Sequence, residues 1–541
     1  MMIKRIGQFI NNIGAWFSII AITIIALLNI IFTVCYSTPY SFAFTSNNYI
    51  IAIMGTSIGI ILLPMIQKIN AIIERIGFKR LIIIGFMFSF IMSMIWLIMS
   101  GYQPEDDSTS ILRFDWSIID NNDDWRTTYL KYMERYPYQS GVGLIMYPFA
   151  LLSHAIGRDI WFAYGIMMTL NTLWTATIIP LIGLITKELK NDKAGCAAIL
   201  LSMGFIVIPM SVIQVYGNTL SVPLILLILL TAIRLIKSFN LRNAIIIMLV
   251  AIILGFIKPN NMIIGIAITI ILIVCSMIRM NWKHAITGII IIPFMMIGAA
   301  LAPALLHGIT GVDYNENMKA PARNFMIMGL NDDAAGGYGF FKWNIGSTRY
   351  TLDESNRNAD DTWRKQSTKF KQPSYLIDFF RVKTMETWAE PTFSYVTRPA
   401  ESYYYSEYVK QNNIDNDDKD GIVENAKEPV LHETIGQKII DSNVFMIITR
   451  SWLDGLCILI SSFAIIGIMR NRHDAYGILL GVCILGGFLF HLIWETKPEY
   501  AYTYFILLIP YAAMIINDFS IDNIAGKKTT IKKIINKKFS A

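Results

Sequence analysis

Leu81-Ile-Ile-Ile-Gly-Phe-Met-Phe-Ser-Phe-Ile-Met-Ser-Met-Ile-Trp-Leu-Ile-Met-Ser100 carries no charge and ends at Gly101-Tyr-Gln-Pro-Glu-Asp-Asp-Ser108. A helix of that length matches the hydrocarbon thickness of a bilayer, so the run reads as a membrane span. Two adjacent carboxylates, Asp106 and Asp107, then stand at its mouth, where lipid and neighbouring helices disfavour charge. Taken alone the pair is equally the polar start of a wet loop or the acid of a site.

Similar runs recur outward from this one. The chain has 541 residues, 54% hydrophobic and 16% charged, with mean hydropathy +0.48. That composition excludes a soluble globular domain and indicates an all-α polytopic membrane protein. Spans are expected at 13–36, 49–67, 80–101, 160–184, 195–215, 218–236, 243–259, 261–278, 285–305, 447–469, 475–494 and 500–517, about twelve transmembrane helices in all. The first is longer than a signal-peptide core and lacks a clear small-residue cleavage site, so it is expected to stay uncleaved. The five cysteines (Cys35, Cys196, Cys275, Cys457 and Cys483) all fall in or beside apolar runs. Disulfides between loops and a zinc site are therefore not expected.

Basic residues set the orientation. Lys4, Arg5, Lys68, Arg75, Lys79, Arg80, Lys187, Lys190, Lys193, Lys237, Arg242, Arg279, Lys283, Arg470, Arg472 and the Lys-rich tail fall on one side of these spans. The positive-inside rule then puts both termini in the cytoplasm of a multi-pass cell-membrane protein. The net charge of +7 is accounted for by these loops and by attraction to anionic membrane lipid, not by nucleic acid. Four parts follow: an N-terminal two-helix hairpin, 1–79; a catalytic membrane core, 80–305, with an outer loop at 102–159; an outer loop forming a small cap, 306–446; and a C-terminal three-helix segment with a basic tail, 447–541. Residues 142–156 are apolar but short, which suggests a juxtamembrane helix on the outer face. Asn416-Asp-Asp-Lys-Asp-Gly-Ile-Val423 is like the first half of a calcium loop, but Lys427 stands where the closing acid would be, so a solvated acidic turn is the better expectation.

Asp106, Asp107, Lys258, Arg450, Asp454, His491, Glu495, Lys497 and Glu499 all lie at or near the outer ends of spans on this topology. A transporter would place some of them at the midplane, in broken helices. A one-sided cluster suggests chemistry at the outer boundary, on a substrate part lipid and part polar. Lys258 breaks the positive-inside pattern and could hold a phosphate there.

Several stretches resemble the C-type (GT-C) membrane glycosyltransferases, and more narrowly a Gram-positive group of integral membrane proteins related to them. Pro104-Glu-Asp-Asp107-Ser with Tyr136-Pro-Tyr-Gln-Ser-Gly141 is similar to that group's Pro-x-Ser-Asp-Gln and Tyr-Pro-x-x-x-Gly. Tyr216-Gly-Asn-Thr-Leu-Ser-Val-Pro223, Lys258-Pro259, Asn324-Phe-Met-Ile-Met-Gly-Leu-Asn331 with Gly336-Gly-Tyr338, the run Lys383 to Phe393, and His491-Leu-Ile-Trp-Glu495 with Glu499-Tyr500 resemble further motifs in the same order. The resemblance covers about residues 80 to 517. Asn218 stands in place of an acid and Glu499 in place of an arginine, so those two roles are not carried over. Glu105 and Asp106 make the first motif more acidic than usual.

The resemblance implies an inverting glycosyltransferase that moves a sugar from a polyprenyl-phosphate donor to a cell-surface glycopolymer, lipid or protein. Asp107 would be the general base, with Asp106 the alternative if the register slips by one. Lys258, His491, Glu495, Tyr136, Gln139 and Asn331 would bind substrate or phosphate. No cofactor is required, and a divalent cation is left as an open alternative. Competing expectations are a lipid-linked glycan transporter or flippase, and a non-catalytic scaffold for envelope assembly.

Overall fold

The structure, a computed structural model, describes residues 2–35, 50–51, 53–62, 76–101, 107–312, 315–332, 351–397, 399, 435–440 and 442–518. Asp106, Gly336 to Tyr338 and the calcium-like stretch 416–423 lie outside the described residues. Among the described residues there is no strand.

In chain order the helices are α1 (Met2–Cys35), α2 (Ile53–Leu62) and α3 (Phe78–Ser100). The first long connection holds α4 (Asp107–Ile119), α5 (Asp123–Arg135) and α6 (Ser140–Ala155). Then come α7 (Ile160–Leu189), α8 (Asp192–Gly204), α9 (Gly217–Lys237), α10 (Leu241–Ile257), α11 (Met262–Arg279) and α12 (Trp282–Thr310). The second long connection supplies α13 (Ala322–Gly329), α14 (Leu352–Lys369) and α15 (Pro373–Trp388). Then follow α16 (Asn443–Asn471), α17 (Ala475–Ile493), α18 (Pro498–Phe505) and a last helix, Leu508–Asp518.

Among the described residues, eight helices are long and apolar enough to cross a membrane. The number rises to ten if α8 is joined to Val207–Ile213, bent by 56°, and α18 to Leu508–Ile516, bent by 44°. The spans expected at 49–67 and 243–259 fall on α2 and α10, which are apolar but shorter. An all-α polytopic membrane fold is the result. Residues 142–156 form most of α6, a separate helix between α5 and α7.

The second connection does not stand wholly apart from the bundle. Met385, Trp388, Phe393, Tyr395 and Val396 share one apolar core with the membrane helices. Phe393 packs on Phe205 at 6.0 Å and on Phe505 at 5.2 Å between ring centres. Burying rings of this size is worth about 2 kcal/mol each, enough to hold the connection down. At one end of the bundle the basic residues collect. Lys190 and Arg470 both pair with Asp518, at 2.5 and 3.0 Å, and Arg234 pairs with Glu188 at 2.9 Å. The candidate site lies at the other end.

Candidate functional site

Local chain chemistry brings five helix ends together. Asp107 is the first residue of α4, where unpaired backbone N–H groups favour negative charge. Tyr216 is the residue before α9, and its backbone N–H donates to the Thr219 hydroxyl at 3.4 Å, which fixes how the ring leaves the chain. Lys258 follows α10 in an extended conformation, φ −158° and ψ 116°. Pro259 explains this, because a residue before proline is pushed out of the helical region. The turn is then anchored by Asn261, whose side-chain amide donates to the Leu254 carbonyl at 2.9 Å and to the Ser221 hydroxyl at 2.8 Å. His491 lies in the last turn of α17, and Pro498 starts α18.

Close backbone approach seats α6 on this cluster. A Cβ at Gly141 would lie 1.8 Å from the Phe256 carbonyl oxygen, so only glycine lets the start of α6 rest on the end of α10. Gln139, two residues earlier, thereby reaches Tyr216.

The polar network starts at Asp107. The Tyr216 hydroxyl donates to Asp107 Oδ2 at 3.1 Å, and the Gln139 amide donates to the Tyr216 hydroxyl. Lys258 Nζ donates to Asn218 Oδ1 and sits between two rings, 5.1 Å from the centre of Tyr216 and 4.8 Å from that of Tyr500. His491 stacks on Tyr500 at 5.9 Å. The amide nitrogen of Asn218, the Tyr132 hydroxyl and His491 Nδ1 are buried there with no hydrogen-bond partner among the described residues.

Burial pushes the Lys258 ammonium down to about 8, while Glu495 and Asp107 pull it back up and Lys497 pushes it further down. Both carboxylates thus favour a charged Lys258. The Tyr216 phenol is raised well above its usual value by burial first and by Asp107 second, so at neutral pH it remains a donor to that carboxylate.

A wall of rings borders the network. Tyr136 packs on Tyr132 at 5.1 Å, on Tyr138 at 5.9 Å and on Phe325 at 6.2 Å. Phe325 stacks nearly parallel on Trp494, at 5.6 Å and 8°. Asn331 is buried just beyond α13, two residues past a contact between Gly329 and Trp494. The structure thus gathers Asp107, Gln139, Lys258, His491 and Glu495, with Tyr136 on the border. Arg450 and Asp454 were grouped with these from sequence. Arg450 instead faces Glu390 at 3.9 Å, with both side chains buried. Glu390 also accepts from the Thr392 hydroxyl at 2.8 Å and from the Ser394 backbone at 3.2 Å.

Sequence reasoning did not single out two participants in the network, nor one buried acid on α4. Tyr216 and Tyr500 were quoted only as parts of motifs, although a tyrosine beside Asn218 or Glu499 at a helix start is a usable signal. Asp115 was missed altogether. It lies two turns into α4, fully buried at 0% exposure, with neither oxygen hydrogen-bonded among the described residues, and burial raises its carboxyl well above the usual range.

The chain belongs to a family described as conserved hypothetical integral membrane proteins, whose model matches residues 17–523. No curated protein matches the chain.

Proposed function

We propose that this integral membrane protein is an inverting glycosyltransferase that uses a polyprenyl-phosphate sugar on the outer face of the cell membrane. The observation that supports this reading is the pairing of Asp107 with a cationic pocket across a single ring. Tyr216 touches the carboxylate with its hydroxyl and the Lys258 ammonium with its face.

A sugar or polyol hydroxyl is a weak nucleophile, and a carboxylate within hydrogen-bond reach can take its proton. In this scheme the acceptor oxygen attacks the anomeric carbon as the bond from that carbon to the phosphate oxygen breaks. The proton passes to Asp107, and the negative charge leaves on polyprenyl phosphate. Lys258 offsets that developing charge. A single displacement inverts the anomeric centre, and phosphate needs no strong acid to leave. The gathering of Lys190, Arg234 and Arg470 at the far end supports an outward-facing site through the positive-inside rule. The order of motifs similar to those of GT-C enzymes supports the donor class.

A transporter is favoured by a different observation, the buried pair of Arg450 on α16 with Glu390 just past α15, because buried charge at a membrane span can mark a conduction pathway. The two readings part in one experiment. Cell-envelope glycans are compared with and without the protein, then after adding back Asp107→Asn. Loss of one glycan, not restored by a variant that inserts normally, is expected. Full restoration by Asp107→Asn removes the catalytic base and leaves transport as the better account.

A further inference from the structure

Three segments far apart in sequence meet at one buried ammonium. Lys383 on α15 is 0% exposed. Its Nζ donates to the carbonyl of Gly329, the last residue of α13, and to that of Trp494, just past α17, at 2.9 Å. Both carbonyls sit at helix ends, where intrahelical donors have run out. A buried ammonium is tolerated when such acceptors receive it.

The same place is held from other directions. A Cβ at Gly329 would come within 2.2 Å of the Trp494 carbonyl carbon, so glycine is required for the two backbones to touch. The Glu495 backbone N–H donates to the Phe325 carbonyl at 3.1 Å. One turn along α15 from Lys383, the Thr387 hydroxyl meets the Thr496 hydroxyl at 3.1 Å. Trp494, Glu495 and Thr496 are thus fixed one after another, each by a residue of α13 or α15. Glu495, only 8% exposed, is the carboxylate in the middle.

We propose that Lys383 is a positioning residue, which locks Trp494 to Thr496, holds Glu495 in place at the end of α17 and makes α13 and α15 part of the site's framework. This rests on geometry and holds whichever reaction the site performs.

The test reads Lys258 directly. The full-length protein in nanodiscs is labelled with an amine-reactive isotopic reagent across a pH series, and mass spectrometry gives the midpoint of Lys258 reactivity. Loss of the Lys383 charge would by itself favour the charged form of Lys258 and raise its midpoint. A downward shift on replacing Lys383 must therefore travel through a displaced neighbour. Lys383→Met is expected to lower the midpoint by about one pH unit, as Glu495→Gln does by removing an opposite charge. In the Glu495→Gln background Lys383→Met should add nothing. An unchanged midpoint in Lys383→Met, or an equal further shift in the double variant, overturns the proposal. If Lys383→Met does not fold, Thr387→Val loosens Thr496 without a charge change. It must move the midpoint downward, and no movement overturns the proposal equally.

Discussion

If Lys258 holds the donor's phosphate, binding must weaken as pH rises through about 8, where burial has set its ammonium. A phosphomonoester has lost most of its second proton by pH 7, so the ligand's charge changes little above that point while Lys258 titrates. Charged Lys258 is about nine tenths of the total at pH 7, one half at pH 8 and one tenth at pH 9. Affinity for polyprenyl phosphate should therefore fall about twofold from pH 7 to 8 and approach tenfold by pH 9. The assay is thermal shift or calorimetry with polyprenyl phosphate in nanodiscs, which needs neither the sugar nor the acceptor. Lys258→Arg keeps its charge throughout this range and should flatten the profile. It should also bind more weakly overall, because a planar fork replaces a point charge between two rings at 4.8 and 5.1 Å. Lys258→Met should be weak at every pH. The same alkaline fall in Lys258→Arg would refute the assignment, because the titrating group would then lie elsewhere.

Other expectations follow from the same geometry. Tyr216→Phe removes the donor to Asp107 Oδ2 and should cost about 2 kcal/mol at that contact. Transfer should drop about thirtyfold with insertion unchanged, and full activity in this variant would mean the phenol does not serve the base. Asp115→Asn should change how stability depends on pH. Burial raises the folded-state value of Asp115 well above that of the unfolded chain, so its contribution is fully present below about pH 4 and is lost as pH rises toward the folded-state value. Melting in detergent from pH 4 to 8 should therefore decline more steeply in the native protein than in Asp115→Asn, and parallel curves would contradict the burial argument.

Much of the membrane architecture was readable because hydrocarbon thickness dictates a run length that single residues seldom disturb. α3 is the clearest case, and its expected span differs from the helix only at the ends. α10 shows the limit. Its expected span at 243–259 overran the helix by two residues, because Pro259 extends Lys258 and stops the turn there. Lys258 was conspicuous in sequence for a physical reason: a cation among apolar residues needs an explanation. The partners that give it meaning were less visible. The bond between Tyr216 and Asp107 joins positions 109 apart, and no local pattern reports such a distance.

Lys383 sharpens this contrast, because its local sequence argues for the opposite of what it does. It lies in a polar stretch between Arg381 and Glu386, inside a segment that reads as extramembrane. Composition alone assigns such a lysine to solvent. Two glycines carry the missing information. Gly329 and Gly141 each sit where a Cβ would collide with the backbone of another helix end, at Trp494 and at Phe256. Each marks a place where a connection docks on the bundle, and each lies within two residues of a site side chain, Asn331 or Gln139. In a membrane protein whose spans are easily read, a glycine beside a polar residue in a long connection is therefore worth testing as a docking point. Gly141→Ala is the direct trial: its methyl would lie 1.8 Å from the Phe256 oxygen, so α6 must shift and carry Gln139 off Tyr216. Binding of polyprenyl phosphate should weaken in that variant although no ligand-facing side chain has changed, and unaltered affinity in a folded Gly141→Ala protein would show that α6 docking does not shape the site.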